Sequence, residues 1–143
     1  MENVKVQGSI VSQLKQNYIY IKEIAFKREK EIPENLSAGF DADFRYESDN
    51  IIHIELKGNV KSDNGTSLDV VVVGEYELVN YKDFSPAVAK SILEQNSVAI
   101  LFPYLRAEIT IVSSQPNMPS FNVPPININA FLEEIKKKDK ATK

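Results

Sequence analysis

The sequence predicts an α+β domain: an antiparallel sheet of about four strands, followed by two C-terminal helices that pack on one side of it. Three observations lead to this prediction. Apolar and polar residues alternate along several segments between positions 18 and 78, as they do in half-buried strands. Turn-forming sequences separate these segments, so neighbouring strands pair in antiparallel fashion. After Ser85-Pro86 the apolar residues recur at helical spacing instead.

The first part of the chain is open to two interpretations. Residues 1–17 form either an N-terminal arm or a short helix, because Ile10, Val11 and Leu14 have helical spacing after Ser9, a favourable capping residue. From Tyr18 the pattern is that of a strand with apolar residues on both faces. Strict alternation puts one set on a single face: Tyr18, Tyr20, Lys22, Ile24 and Phe26. Ile19 and Ile21 fall on the other, so neither face is fully solvated.

The next three strands alternate more regularly. They cover residues 38–47, 51–60 and 68–78, with turns at Ser48-Asp49-Asn50 and Asp63-Asn64-Gly65. Asn-Gly is a strong hairpin signal because both residues tolerate positive φ angles. The last of these strands carries Val71 and Val73 on the face opposite its main apolar set. These two valines again indicate a strand with two apolar faces.

The second half of the chain is helical. Ser85-Pro86 favours a helix start, residues 87–95 have helical character, and Asn96-Ser97 predicts an interruption. A second segment, residues 100–112, carries Leu105, Ile109 and Val112 at the spacing of one packing stripe. A proline-rich loop follows, and a last helix begins at about Asn129. We expect a domain at residues 18–135 and a flexible lysine-rich tail at residues 136–143.

The loop from Ser113 to Pro125 contains four prolines and almost no charge. It presents Met118, Phe121 and Val123 with little to shield them, so it must lie against its own sheet, a neighbouring subunit or a bound chain. This makes the three side chains candidates for client contact.

Composition excludes several classes of function. The 143 residues contain 43% hydrophobic and 26% charged residues and no cysteine, which is typical of one soluble domain. No apolar run is long enough to cross a bilayer, and the N-terminus lacks a signal-peptide pattern. The lysines concentrate at the C-terminal end, which leaves an acidic body. Nucleic acid is therefore not expected as a partner, since phosphate contacts need clustered Lys or Arg.

The chain offers little to catalysis. Its single histidine, His53, lies on the polar face of a predicted strand, and no Gly-x-Ser-x-Gly elbow accompanies it. Asp41 and Asp43 share a strand face, but no histidine or further acidic cluster lies near them in sequence. The glycines are scattered, with no phosphate-binding loop. We therefore expect neither an enzyme nor a metal or cofactor.

A resemblance to a known family lies in residues 100–130. The residues that carry it are Ile100-Leu101-Phe102-Pro103-Tyr104, Arg106, Ile109-Thr110, Pro119, Asn122, Pro125, Asn127 and Ala130. In order and spacing they resemble the C-terminal half of SecB, the bacterial protein-export chaperone family. Two positions depart from the family: Pro116-Asn117-Met118 replaces a glycine-containing turn, and Ile128 replaces a phenylalanine.

The resemblance implies a cytoplasmic protein that binds unfolded polypeptides without ATP and assembles as a homodimer or homotetramer, with helices between the sheets. It also implies docking to SecA through acidic positions that match Glu23 and Asp69. At a third matched position Lys27 reverses the charge, and Ser67 falls at an apolar docking position. Such a reversal weakens a charge-complementary interface, so SecA is a doubtful partner.

A holdase needs exposed apolar surface beside strand edges or loops. Besides the loop, the residues that meet this requirement are those of the two-sided strands, assigned to an oligomer interface first and to clients second: Ile19, Ile21, Val71 and Val73. Two alternatives remain open. One is a chaperone dedicated to the antitoxin of a toxin–antitoxin pair, and the other is an oligomeric interaction protein with a SecB fold.

Overall fold

The computed structural model describes residues 12–141, with side chains as far as Asp139. Its elements are β1 (Leu14–Lys27), β2 (Ser37–Ser48), β3 (Ile51–Lys61), β4 (Ser67–Leu78), a 3₁₀ turn (Tyr81–Asp83), α1 (Pro86–Ser113) and α2 (Ile128–Ala141). The four strands form one antiparallel sheet in the order β1-β4-β3-β2. The predicted fold class, a four-stranded antiparallel sheet with two C-terminal helices, is confirmed.

The two central strands carry the core. Ile52, Ile54 and Leu56 of β3 are fully buried, as are Val70 and Val72 of β4. They lie on the face of the sheet that packs against α1, here called the helix side, and the opposite face is called the outer face. The β3–β4 hairpin closes at Gly65, whose φ of 93° suits a residue without a Cβ. Alternation in the sequence therefore predicted the central strands correctly.

Strand β1 departs from the expected pattern. It begins at Leu14 rather than Tyr18, and the preceding residues 1–11 lie outside the described residues. Register shifts occur between Gln16 and Tyr18 and between Ile21 and Glu23. Each bulge adds a residue and resets the alternation of faces.

The second bulge changes which residues of β1 lie on the helix side. Ile24 pairs with Val70, and Ile21 pairs with Val72, so both isoleucines share the face of these core valines. Strict alternation had put Ile24 opposite Ile21, and that assignment is wrong. The isoleucines of β1 therefore share the helix side, whereas Tyr18 and Tyr20 lie on the outer face.

Helix α1 is one continuous helix of 28 residues. Its start is as predicted: Ser85 caps it by accepting a hydrogen bond from the Val88 N–H at 3.3 Å. The predicted interruption at Asn96-Ser97 is wrong. Ser97 is buried, and its hydroxyl donates to the Glu94 carbonyl one turn earlier, so its polar group is satisfied inside the helix. Tertiary packing thus outweighs the low helix propensity of these residues.

Small residues in the sheet let α1 approach closely. A Cβ built on Gly74 of β4 would lie 3.1 Å from Leu101, and one on Gly58 of β3 would lie 3.0 Å from Ile109. Leu105 also lies over Gly58, and both Leu105 and Ile109 are fully buried. Val112 is partly buried beside the same core.

Helix α2 begins at Ile128, close to the predicted Asn129. The Asn127 side chain accepts a hydrogen bond from the Ala130 N–H at 2.9 Å, as an N-cap does. Leu132 and Ile135 bury the inner face of the helix. The helix continues to Ala141, so most of the expected flexible tail is helical, while Thr142 and Lys143 lie outside the described residues.

Candidate functional site

The proline-rich loop lies against its own helix α1. Arg106 donates from Nε to the Val123 carbonyl at 2.9 Å, and the Phe121 N–H donates to the Ser113 hydroxyl at 3.0 Å. Val123 is only 3% exposed, which corrects its assignment to an accessible client surface. Phe121 and Met118 are half-buried.

The two valines expected on an accessible face are also covered. Val71 and Val73 do lie on the outer face, but they are 7% and 0% exposed. Lys22 of β1 and Glu55 of β3 form an ion pair of 2.7 Å that spans β4 above them. So little of either valine is exposed that their assignment to an oligomer or client surface is corrected.

Several polar groups of the outer face are engaged with one another. Tyr18 and His53 also bridge across β4, with 2.7 Å between the Tyr18 hydroxyl and His53 Nδ1. Burial, with a smaller contribution from Glu75, raises the pKa of Tyr18. Lys57 pairs with Asp43 at 2.8 Å. Within residues 12–141 no three His, Cys, Asp or Glu side chains are grouped as a metal site.

The acidic positions expected to dock a partner lie on the same outer face. Glu23 pairs with Val71 in the register and is exposed. Asp69 is half-buried and accepts a hydrogen bond from Asn59 at 2.6 Å. Lys27 forms an ion pair of 3.6 Å with Glu29. These residues are in place for an electrostatic contact, and docking through them stays a prediction.

Exposed apolar side chains gather instead between strand β1 and helix α1. The β1–α1 face is defined here by Ile21, Ile24, Ile100, Tyr104 and Ile111. Their exposed fractions run from 36% for Ile100 to 63% for Ile111. Large apolar groups left this open on adjacent elements are characteristic of an interaction surface.

The two elements meet along one flank of α1. The other flank is occupied, because Phe102 stacks edge-on against Phe40 of β2, with ring centroids 5.4 Å apart, and Arg106 binds the loop. Tyr104 lies on the open flank near Tyr76, whose hydroxyl donates to Gln16 of β1 at 3.0 Å. Burial, with a contribution from Tyr104, raises the pKa of Tyr76 to about 12. The open flank of α1 therefore faces β1.

Strand β1 adds hydrogen-bonding capacity to this face. It is a strand of 14 residues at one edge of the sheet, and its second edge has no neighbour among the described strands. A long edge strand presents unpaired N–H and C=O groups that can bind another extended chain. The β1–α1 face thus combines backbone donors and acceptors with an apolar surface.

Sequence reasoning found part of this face. Ile21 was among the predicted residues, and its neighbour Ile19 is partly buried against the core. Ile24 lies outside the prediction because of the bulge, and the α1 residues lie outside it because they are not part of the predicted stripe of Leu105, Ile109 and Val112. Ile100, Tyr104 and Ile111 follow an i, i+4, i+11 spacing that marks a second stripe. A helix with two apolar stripes signals two packing partners.

No helix among the described residues is both long enough and apolar enough to cross a membrane.

Comparison with solved structures supports the fold. The chain is similar, with a TM-score of 0.57 and 10% identity, to the Rv1957 SecB-like chaperone of Mycobacterium tuberculosis, solved in complex with a peptide from the HigA1 antitoxin. The match covers 80% of this chain and 91% of that one, and it shows a SecB-like fold. A protein of unknown function from Streptococcus agalactiae matches with a TM-score of 0.43 and 12% identity over 80% of this chain and 99% of its own.

Comparison of sequences gives a nearer relative. No family model matches the chain. The uncharacterized protein MJ0357 of Methanocaldococcus jannaschii is 33% identical in an alignment of 138 positions, which covers 86% of this chain and 86% of that protein. The chain belongs to the family of this archaeal protein.

Proposed function

We propose that this protein binds non-native polypeptides in the cytoplasm as an ATP-independent, SecB-like holdase. The observation that carries the proposal is the β1–α1 face, an apolar surface that borders a strand edge with no partner among residues 12–141. A holdase stabilises the unfolded state of its clients by mass action and needs no chemical step. The SecB-like fold supports the same interpretation.

The β1–α1 face suits clients of many sequences. Isoleucine and tyrosine side chains give affinity through apolar contact, which does not depend on one exact sequence. The outer edge of β1, which has no neighbour among the described strands, pairs with backbone groups, which every polypeptide has. Together they hold an extended chain between β1 and α1.

The test is suppression of aggregation of a chemically denatured model protein. The double variant Ile24→Asp/Tyr104→Asp places two carboxylates on the β1–α1 face. The fold is retained because the two side chains are already 45% and 50% exposed to solvent. We expect at least a tenfold weaker affinity for the unfolded chain. The control is Ile32→Asp, which adds a carboxylate at an isoleucine that is 59% exposed and lies outside the face. Unchanged suppression by the double variant would refute this assignment of the site.

The loop residues Met118 and Phe121 remain proposed as secondary client contacts, because both side chains are half-buried at the surface of the loop. Met118→Asp and Phe121→Asp are expected to weaken client binding without unfolding the protein. If affinity is unchanged in both, the loop has no role in binding.

Self-assembly is the second candidate role of the β1–α1 face. The observation in favour is that α1 is apolar on both flanks, while the described residues cover only one of them. A second copy of the chain would cover the other flank and give an oligomeric interaction protein, a homodimer or a homotetramer. Light scattering on the Ile24→Asp/Tyr104→Asp variant separates the roles, since dissociation with intact client binding assigns the face to assembly.

A chaperone that is specific for one client protein is a variant of the same proposal. The structural neighbour from M. tuberculosis is in complex with an antitoxin peptide, and a dedicated chaperone of this kind would bind one client by the same face. The measurement compares the affinity for a candidate antitoxin encoded beside this protein with the affinity for denatured model proteins. Much tighter binding of the antitoxin would indicate the dedicated role. SecA docking through Glu23 and Asp69 is tested separately, by charge reversal at both positions.

A further inference from the structure

A second open surface lies at the far end of the sheet. A cavity of about 760 Å³ lies between the end of β2, the 3₁₀ turn and the first turns of α1. Its walls include the rings of Tyr46, Tyr81 and Phe84. None of these residues belongs to the β1–α1 face, and β2 is the opposite edge strand from β1. The cavity is therefore a separate site.

The aromatic walls are held in place before any ligand arrives. The Tyr46 hydroxyl donates a hydrogen bond of 2.5 Å to Glu94, a carboxylate that is only 8% exposed. Burial and this hydrogen bond raise the pKa of Tyr46 well above its usual value, so the hydroxyl stays protonated and keeps donating. A ring fixed in this way presents its surface to the cavity without further loss of side-chain entropy.

The rim of the cavity is basic. Lys82 and Lys90 line it, against one aspartate, Asp49. The Lys90 ammonium lies 5.7 Å from the centroid of the Tyr46 ring, and the Lys82 ammonium lies 6.0 Å from that of Tyr81. Each cation is thus held beside an aromatic wall. The arrangement favours a ligand that carries an apolar ring and a negative charge close together.

The lining does not select one small molecule by hydrogen bonds. Among the polar side chains of the lining, the Tyr46 hydroxyl already donates to Glu94 and the Ser48 hydroxyl already donates to Asn50. Dedicated small-molecule sites instead direct a few convergent polar groups at the ligand. Aromatic walls and a basic rim are recognition elements that a varied peptide can satisfy.

We propose that this cavity binds an acidic polypeptide segment, with an aromatic side chain between the rings of Tyr46, Tyr81 and Phe84 and a neighbouring carboxylate at Lys82 and Lys90. The inference rests on the proposed binding of polypeptides and assigns a second subsite with its own preference. The protein then selects, among unfolded segments, those in which an aromatic residue is flanked by Asp or Glu.

The test measures the affinity of the full chain for three labelled peptides by fluorescence anisotropy. The probe is Ser-Glu-Phe-Glu-Ser, and its controls are Ser-Lys-Phe-Lys-Ser, which reverses the charge, and Ser-Glu-Ala-Glu-Ser, which lacks the ring. We expect the probe to bind about tenfold more tightly than either control. Its affinity should fall as the salt concentration is raised. Equal affinities for all three would overturn the proposal.

Two variants locate the site. Lys82→Glu/Lys90→Glu is expected to remove the preference for the acidic probe, whereas the matched control Lys30→Glu/Lys61→Glu, which reverses two exposed lysines that do not line the cavity, is expected to keep it. Phe84→Ala should lower the affinity for the acidic probe without changing how that affinity depends on salt concentration. A preference that survives Lys82→Glu/Lys90→Glu would refute the site.

The result separates this inference from the proposed holdase function. Aggregation of a denatured model protein without acidic aromatic segments should be suppressed equally by wild type and Lys82→Glu/Lys90→Glu. Intact suppression with no peptide preference would overturn the subsite alone, and no binding of any polypeptide would overturn both. If Lys82→Glu/Lys90→Glu dissociates an oligomer and leaves peptide affinity unchanged, the cavity holds a second copy and the proposal is wrong.

Discussion

The contact between Gly58 of β3 and Leu105 of α1 gives a quantitative test of how the helix packs on the sheet. A Cβ at Gly58 would lie 3.0 Å from Ile109 Cδ1 and 3.2 and 3.3 Å from the two Leu105 methyl groups. Gly58→Ala overpacks this contact and should cost about 1–3 kcal/mol of unfolding free energy. Leu105→Ala, at a fully buried position, leaves a cavity and should cost about 2–5 kcal/mol.

The double variant Gly58→Ala/Leu105→Ala is the informative one. The added methyl group occupies part of the space that the leucine leaves. The double variant should therefore lose less unfolding free energy than the two single variants together, by about 1 kcal/mol or more. The matched control pairs Leu105→Ala with Gly39→Ala, because nothing lies within 4 Å of a Cβ at Gly39. That pair should be additive within about 0.5 kcal/mol.

Urea unfolding at one fixed protomer concentration measures all of these variants, since assembly would otherwise change the apparent stability. Additive losses for the pair Gly58 and Leu105, or a stabilising Gly58→Ala, would show that α1 does not pack on β3 as described.

Three further predictions concern single groups. Tyr46→Phe leaves the buried Glu94 carboxylate without its donor, and should lower the unfolding free energy by about 1–3 kcal/mol in the same urea assay. Asn127→Ala removes the cap of α2 and should cost about 1 kcal/mol, with Asn129→Ala, two residues later, as a near-neutral comparison. The pKa of Tyr76 is raised by burial from 10.0 to about 12 in the folded protein, so its contribution to stability is complete below pH 10 and is lost as pH rises towards 12. Unfolding free energies that stay level from pH 9 to pH 12 would contradict this.

The sequence predicted the central sheet well because one physical pattern dominates there. Ile52, Ile54 and Leu56 alternate with polar residues, and only one register buries them all. The Asn64-Gly65 turn fixes that register locally. Where burial, alternation and turn chemistry agree, sequence reasoning is sufficient.

It failed where a long-range contact overrides a local signal. The bulge beside Lys22 leaves no mark in the residue pattern, yet it moves Ile24 to the helix side. Asn96-Ser97 is a valid local helix breaker, but the packing of Leu93 and Val98 around it is set by the sheet. The proline-rich loop was expected to lie against its own sheet, a neighbouring subunit or a bound chain, and its contact with α1 is evident only in three dimensions.

The contacts of Arg28 have a consequence for cooperativity. Its guanidinium donates to the carbonyl groups of Pro116 and Asn117, the second at 2.6 Å, and so ties the β1–β2 connection to the connection between the helices. Residues that are 88 positions apart in the chain are thereby joined at the surface. Neither connection can open alone without losing two charged hydrogen bonds. Amide hydrogen exchange should therefore be slow in both segments of the wild-type protein, and Arg28→Ala should accelerate it in both.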